Sequence, residues 1–187
     1  KKKHSQSLVP MLSEMSGMVD LELSSIDFIA VTKGPGSFTG LRIGAATVKG
    51  LGLALDKPVL PVPTVDSLAC NLYGTDRLIC PLMDARRQQV YTGIYENRDG
   101  LKVLRPQCVV ALADIVKELN AIGREVIFVG DGVPVSEKAL AETMEVPYLL
   151  APAHLNRQRA ASTAVRAAQL FEECGEAALV SADDFRP

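Results

Sequence analysis

The sequence predicts an α/β fold with two subdomains, and three observations lead to that prediction. Residues 28–62 have the pattern strand, glycine turn, long helix, strand, which is the order of a right-handed parallel βαβ unit. Residues 78–150 have the pattern of three strands followed by helix, strand, helix and strand, an order that suits a ribonuclease H-like fold. Between them, Tyr73-Gly74-Thr75-Asp76 breaks both patterns and marks a subdomain boundary.

The first subdomain is predicted from apolar periodicity and from the residues that start and stop helices. Leu8, Leu12 and Met15 recur at helical spacing, and Pro10 is expected near the start of that helix. In order, this subdomain has a helix at 5–15, a strand at 28–32, a helix at 37–55, a strand at 59–62 and a helix at 65–73 that Thr64 caps.

The second subdomain begins with strands that alternate between apolar and polar residues, and its second and third strands are joined by the turn Asn97-Arg98-Asp99-Gly100. Its predicted elements are strands at 78–83, 89–96 and 101–110, a helix at 111–121, a strand at 126–129, a helix capped by Ser136, and a strand at 146–150. A last helix at 156–174 is expected to return to the first subdomain. The predicted domains are therefore 1–75 completed by 155–187, and 76–154.

Composition excludes several classes of protein. Hydrophobic residues make up 48% of the chain and charged residues 22%, which are ordinary globular values. A net charge of −2 argues against a protein that holds nucleic acid by a basic surface of its own. No apolar run reaches the ~18 residues that a membrane span needs. We therefore expect a cytoplasmic protein without membrane association.

The cysteines and histidines do not have the spacing of a metal site. Cys70, Cys80, Cys108 and Cys174 form no C-x-x-C pair, and apolar neighbours such as those in Leu78-Ile79-Cys80-Pro81-Leu82 predict that they are reduced core residues. His4 and His154 belong to no H-x-x-x-H pattern. The sequence therefore predicts no metal and no cofactor.

A glycine loop joins the first strand to the long helix. Gly34, Gly36 and Ser37 could present backbone N–H groups to a phosphate at the helix N-terminus. The loop has neither the Lys-Ser/Thr pair of a P-loop nor a G-x-G-x-x-G motif. A tight turn capped by Ser37 explains the same residues, so a phosphate loop is only one of two interpretations.

The long helix is apolar around most of its circumference. Between Phe38 and Leu55 its only charged residues are Arg42 and Lys49, although a helix packed on one sheet needs an apolar arc of only about 100°. Gly40 and Gly44 would allow a second helix to approach closely. Either the helix is buried inside one large domain, or it has one face on its own sheet and another on a partner protein.

The string G-P-G-S-F-T-G-L-R-I-G at 34–44 resembles the bacterial TsaB (YeaZ-like) family of tRNA threonylcarbamoyladenosine biosynthesis proteins. His4-Ser5-Gln6 and the stretch from Asp84 to Tyr91 resemble the same family. The resemblance implies an actin-like (ASKHA) fold of two ribonuclease H-like units. It also implies that the first subdomain lacks its leading strands here, with residues 1–3 as their remnant, and that residues 183–187 run into a final segment that is cut off.

What the resemblance implies about function is a non-catalytic accessory role. A TsaB-like protein binds and activates the transferase TsaD, which threonylcarbamoylates an adenosine next to the anticodon of tRNA. The ATPase TsaE joins that pair, a homodimer forms without TsaD, and tRNA is reached only through the complex. The candidate interface residues are Leu8, Leu12, Met15, Gly40, Ile43, Gly44 and Thr47.

Three catalytic alternatives remain to be weighed. An independent actin-like nucleotide-binding enzyme could use the turns Gly34–Ser37 and Gly130–Gly132. The metal-dependent transferase relatives carry two histidines where this chain has Thr64 and Leu68, so the main nitrogen ligands of that site are missing. A glycopeptidase-like hydrolase would need a nucleophile and base, or a metal-bound water, that the sequence does not display. Asp84 and Arg86 could serve a cleft or form a surface ion pair.

Overall fold

The computed structural model describes residues 4–187, and the predicted strand remnant at residues 1–3 lies outside the described residues. In order, the helices and strands are α1 His4–Met18, β1 Ile29–Thr32, α2 Phe38–Leu55, β2 Val59–Val62, α3 Thr64–Ala69, β3 Thr75–Pro81, β4 Met83–Asp84, β5 Gln89–Asn97, β6 Leu101–Ala111, α4 Leu112–Ile122, β7 Val126–Val129, α5 Val133–Thr143, β8 Tyr148–Leu150 and α6 Ala160–Cys174. No helix in this part of the chain is long and apolar enough to span a membrane.

The chain forms two compact units. Unit 1 takes the chain up to Val62 and again from Leu170 to Pro187, and unit 2 takes Pro63–Gln169. These limits differ from the predicted subdomains because α3 and most of α6 pack with unit 2. The division at 75/76 and 154/155 stays a prediction about fold subdomains.

Unit 1 contains the predicted βαβ unit. β1 and β2 are parallel, with Ile29 opposite Val59 and Thr32 opposite Val62, and α2 is the crossover. The sheet is extended by a C-terminal segment, residues 180–185, which begins with an antiparallel bridge between Val59 and Val180. The small core of the unit joins both parts, and its buried residues are Ala45, Val48, Val59, Ala182 and Phe185.

Unit 2 has the predicted ribonuclease H-like order of elements. Its sheet runs β6-β5-β3-β7-β8, antiparallel between β6, β5 and β3 and parallel from β3 through β7 to β8. The two-residue β4 pairs with the start of β5. One core cluster contains buried residues of α4 and α5, and a second contains α3 with Tyr95 and Leu101. The parallel strands β3, β7 and β8 have their carboxyl ends at the same edge of the sheet, so the loops that follow them lie at that edge.

Four predicted helix boundaries are wrong. The helix predicted at 5–15 extends to Met18, and Pro10, which was expected near its start, lies inside it. The helix predicted at 65–73 ends at Ala69, and Thr64 lies inside it, with Pro63 at the N-cap position. α5 starts at Val133 rather than after Ser136, because Pro134 provides a suitable first turn and Ser136 is buried. The last helix starts at Ala160 rather than at 156, since residues 153–155 form a separate 3-10 turn.

The cysteine prediction is correct for part of the set. Cys80 is buried, Cys70 and Cys108 are half-buried, and all four cysteines are free thiols. Burial raises the pKa of the Cys70 and Cys80 thiols to about 12, so both stay protonated and inert. Cys174 is exposed, which contradicts its prediction as a core residue, because it ends α6 at the surface.

Candidate partner interface

The glycine loop before α2 is a turn closed by an apolar side chain. A Cβ built on Gly34 or Gly36 would lie 3.4 Å or 3.7 Å from side-chain atoms of Leu41. The Ser37 hydroxyl accepts a hydrogen bond from the Gly40 N–H at 3.3 Å, as the capping prediction requires. The residues of the predicted phosphate loop therefore have structural roles, and a phosphate site there stays a prediction.

The second glycine turn also has a packing explanation. Gly130 has φ +128°, and a Cβ at this position would lie 2.2 Å from the Leu82 carbonyl oxygen. The Gly132 N–H donates to that same oxygen at 2.9 Å. Glycine is needed here because the turn after β7 crosses directly over the chain between β3 and β4.

α1 exposes a broad apolar surface. Met11, Met15 and Met18 follow one another at i, i+4 and i+7, with exposed fractions of 55%, 60% and 73%. Leu12 on the same helix and Val19 directly after its end are also exposed. Buried positions are the usual place for these residue types, so such a row of exposed side chains on one helix is an apolar patch of the kind that marks interaction surfaces.

α2 contributes to the same part of unit 1, because α1 packs against it. The buried side of α2 carries Ala45, Val48 and Gly52. Its exposed side includes Phe38 and Leu53, which are 69% and 60% exposed. We call the exposed residues of the two helices, together with Val19 directly after α1, the helical face: Met11, Leu12, Met15, Met18, Val19, Phe38 and Leu53.

Arg42 lies next to the helical face. Its guanidinium carbon is 4.2 Å from the centre of the Phe38 ring, a cation–π contact at the start of α2. This contact holds an exposed aromatic ring at the edge of an apolar surface. An anchor of this kind is typical of protein interfaces, which are enriched in aromatic residues, methionine and arginine.

The predicted interface residues divide into two groups. Leu12, Met15 and Gly40 are exposed, whereas Leu8, Ile43, Gly44 and Thr47 are half-buried. A Cβ on Gly44 would point toward Val31 of β1, at 4.0 Å, so this glycine faces the sheet of its own unit. A substitution at Gly44 would therefore change the packing of α2 on β1 together with any pairing.

Sequence reasoning missed a buried polar cluster in unit 2. The Tyr95 hydroxyl donates to Asp66 Oδ1 at 2.9 Å, and Arg166 Nε lies 3.4 Å from Asp66 Oδ2. Asp66 and Arg166 are only 5% and 4% exposed, and burial, followed by the Asp66 charge, raises the pKa of Tyr95 well above its usual range. Arg166 in an alanine-rich helix was the available signal, since a lone arginine among alanines needs a partner when it is buried.

Thr64 and Leu68, the two positions at which the resemblance implied missing metal-binding histidines, lie on α3. Leu68 is 2% exposed and belongs to the core cluster around Val65 and Tyr95. Thr64 is 4% exposed, and its hydroxyl has no hydrogen-bond partner among the described residues. Because Leu68 has an apolar side chain and the Thr64 hydroxyl is buried, both residues belong to the core side of α3.

Asp84 and the two arginines after it form a turn with a rare backbone conformation. Arg86, Arg87 and Gln88 have φ angles of +66°, +52° and +61°, three successive residues in the left-handed region. The Asp84 carboxylate accepts a hydrogen bond from the Arg86 N–H at 2.7 Å and so stabilises the start of this turn. Both arginine side chains are exposed, and neither forms the surface ion pair with Asp84 that the sequence left open.

Comparisons with known proteins agree with the fold and name the family. A family model described as "TsaD: tRNA N6-adenosine threonylcarbamoyltransferase" matches residues 1–182. The tRNA threonylcarbamoyladenosine biosynthesis protein TsaB of Bacillus subtilis is 37% identical over 77% of this chain, and TsaB of Escherichia coli is 31% identical over 58%. These matches cover 63% and 51% of the two relatives, so the chain spans about half to two thirds of their length.

Solved structures give the same answer. A Pseudomonas aeruginosa protein described as similar to peptidase YEAZ aligns with a TM-score of 0.80 and 27% identity, and covers 100% of this chain and 83% of its own. YeaZ from the same organism aligns with a TM-score of 0.78 and 28% identity, over 100% of this chain and 84% of its own. The predicted actin-like, ribonuclease H-like α/β fold is thereby confirmed. The chain belongs to the TsaD family of tRNA threonylcarbamoyladenosine proteins, within which it resembles the TsaB (YeaZ) members.

Proposed function

We propose that this chain is a non-catalytic accessory subunit in threonylcarbamoylation of tRNA. It binds and activates a TsaD-type transferase, and the helical face is the binding surface. The observation that carries the proposal is the row of exposed methionines on α1, together with the exposed Phe38 and Leu53 on α2, the helix against which α1 packs. The names of the similar proteins support the reaction to which the complex belongs.

The occupant of the helical face is a chain of the same fold. The family model that matches residues 1–182 is that of the transferase, so the two proteins share the helices that would meet. A surface that pairs with its own copy about a two-fold axis also suits a homologous chain that presents the corresponding helices. The proposal therefore includes a homodimer in the absence of the transferase, with TsaE joining the heterodimer and the complex residing in the cytoplasm.

Methionine suits a surface with two occupants. Its unbranched and polarizable side chain repacks against differently shaped partners at small cost. Met11, Met15 and Met18 together provide such a surface along the C-terminal half of α1. The surplus apolar arc of α2, which could have indicated burial within one domain, is then covered by another chain.

The test is pairing of the full-length protein with the transferase of its own organism, followed by light scattering on a sizing column. Met15→Glu would place a carboxylate in the middle of the helical face, and we expect at least a tenfold weaker complex because that charge is desolvated on pairing. Val135→Glu is the matched control, since Val135 is a 71% exposed apolar residue on α5 of unit 2. Circular dichroism confirms that both variants are folded. Unchanged pairing of the Met15→Glu protein would refute the assignment of this surface.

A nucleotide-binding enzyme is the rival to exclude. A Kd near 10 µM for Mg-ATP would raise the free energy of unfolding by roughly 2.7 kcal/mol at 1 mM ligand. A thermal shift of that size for the protein alone would favour the rival. The accessory role predicts pairing without such a shift.

A further inference from the structure

Most cations of unit 2 have a carboxylate within ion-pair distance. Those paired are Arg77, Arg98, Lys102, Arg105, Arg124, Lys138 and Arg166. Among the described residues of this unit, the cations without such a partner are Arg86, Arg87, Lys117, Arg157 and Arg159. The unpaired arginines thus come from only two segments, the turn after β4 and the loop before α6.

These two segments meet at the carboxyl ends of β3 and β7. Asn156 in the loop accepts a hydrogen bond from the Gly130 N–H at 2.9 Å, directly after β7. The Gln158 amide reaches the Thr64 carbonyl oxygen at 3.3 Å and Met83 Sδ of β4 at 3.9 Å. Because β4 leads into the turn that carries Arg86, the unpaired arginines share one end of the sheet. We call Arg86, Arg87, Arg157 and Arg159 the arginine edge.

The backbone holds part of the arginine edge in an unfavourable conformation. Each non-glycine residue in the left-handed region costs on the order of 1 kcal/mol, and here three such residues follow one another. Strain of this kind persists where the surrounding structure determines it, and it concentrates at functional sites. The turn directs two arginines into solvent instead of toward the carboxylates that neutralise other cations of this unit.

The composition of the arginine edge selects among possible partners. Its cations are all arginine, whose planar guanidinium matches a phosphate with two parallel hydrogen bonds. Neither segment contains an exposed large apolar side chain of the type found on the helical face. Protein interfaces have apolar and aromatic anchors in their centre, whereas contacts to nucleic acid backbones consist of charged and polar groups.

This end of the sheet carries a local excess of positive charge, although the chain as a whole is negative. The chain carries a net charge of −2, and the acidic side chains in and beside these segments are Asp84, which is bonded to its own turn, and Asp131. Four arginines against two carboxylates leave an excess of positive charge. A patch this small gives weak binding by itself but adds to affinity when another subunit supplies the main contacts.

We propose that the arginine edge contacts the phosphate backbone of RNA when this chain is part of the transferase complex. This inference rests on the proposed function, because the complex provides the remaining contacts. The backbone groups involved are phosphodiesters, so the contact positions the RNA without reading its sequence.

The test measures tRNA binding by the complex of full-length subunits, using fluorescence anisotropy across a salt series. The variant replaces Arg86, Arg87, Arg157 and Arg159 by Gln, a residue that position 88 already shows in the same left-handed conformation. The matched control replaces Arg98, Lys102, Lys117 and Lys138 by Gln, which removes equal charge elsewhere on unit 2.

We expect the arginine-edge variant to bind tRNA at least tenfold more weakly. The slope of log K against log salt should become less negative by about 3, because about four phosphate contacts are lost. The control should lose less than about threefold, because its cations lie away from the edge. Equal losses of tRNA affinity in the two variants would refute the proposal. It would also be refuted if the arginine-edge variant no longer paired with the transferase, because the edge would then be a protein contact. Pairing is read on a sizing column before RNA is added. If the unaltered subunits do not pair, the proposed function fails. The RNA titration of the arginine-edge and control variants is then carried out on the full-length protein alone, and equal affinities there would refute the RNA contact as well.

Discussion

At the scale of single residues, Asp66 is the charged group whose replacement should change the stability of unit 2 most. Its carboxylate lies between the Tyr95 hydroxyl and the Arg166 guanidinium, and all three side chains are buried. We expect Asp66→Asn to lower the free energy of unfolding by about 3–5 kcal/mol, because it removes the buried negative charge that faces the Arg166 guanidinium. Urea unfolding measures the change.

A surface pair supplies the control for that prediction. Lys138→Gln removes an exposed ion pair with Glu142, on α5 of the same unit, and should change the free energy of unfolding by less than about 0.5 kcal/mol. The double variant Asp66→Asn with Arg166→Met should recover part of the loss, since no unpaired charge remains. An Asp66→Asn protein as stable as the unaltered one would show that this cluster does not support unit 2.

Single residues differ in how far their structural roles could be predicted from the sequence. Ser37 was predictable as a cap because a local pattern, a polar residue just before an apolar helical run, decides it. Asp66 and Arg166 lie far apart in sequence. The alanine-rich surroundings of Arg166 signal that it needs a partner, but nothing local identifies Asp66 as that partner. The left-handed turn at Arg86, Arg87 and Gln88 was equally hidden, since none of these residue types favours that conformation.

At the scale of elements, α2 has two glycines two residues apart with opposite surroundings. A Cβ on Gly52 would lie 2.7 Å from the Ala182 Cβ and 2.8 Å from the Lys57 carbonyl oxygen, whereas one on Gly50 would have no neighbour within 4 Å. We expect Gly52→Ala to lower the free energy of unfolding by about 1–3 kcal/mol through overpacking. Gly50→Ala should raise it by about 0.5–1 kcal/mol, because alanine favours the helix.

Thermal unfolding of the two single variants under one set of conditions checks this pair. Their shared helix and identical chemical change isolate the effect of packing from that of helix propensity. Two stabilised variants would mean that the C-terminal segment does not pack closely on α2 in solution.

The order of elements was largely predictable because each strand and helix is long enough to show its period. β1, α2, β2 and β7 match their predicted positions to within a residue. Short elements were less accessible. α3 has six residues and β4 has two, so neither displays a period, and their positions are fixed by contacts with the sheet.

At the scale of the whole molecule, unit 1 depends on residues from both parts of the chain. Phe185 is 1% exposed and belongs to the same core as Val48 and Val59. We expect Phe185→Ala to destabilise unit 1 by about 3–5 kcal/mol, the usual cost of a large buried cavity. Hydrogen exchange should then show loss of protection in β2 and α2 while β7 and α4 keep theirs.

Phe38→Ala is the control at this scale, since Phe38 is 69% exposed and its removal should leave both units protected. Equal loss of protection in β7 after Phe185→Ala would show that the two units unfold together. The helical face could not be assigned a partner from periodicity, because an apolar arc looks the same whether its own chain or another chain covers it.

The pairing of Val59 with Val180 has a consequence for how the protein is made. Most of the chain separates the two residues, so during translation β2 leaves the ribosome long before the segment that completes its sheet and core. Unit 2 is continuous and can fold while synthesis proceeds. The nascent chain would thus hold the exposed apolar side chains of α1 and α2 on an incomplete core, as a surface that chaperones can bind in that interval. Unit 1 is therefore expected to reach its folded state only after the C-terminal segment has been synthesised.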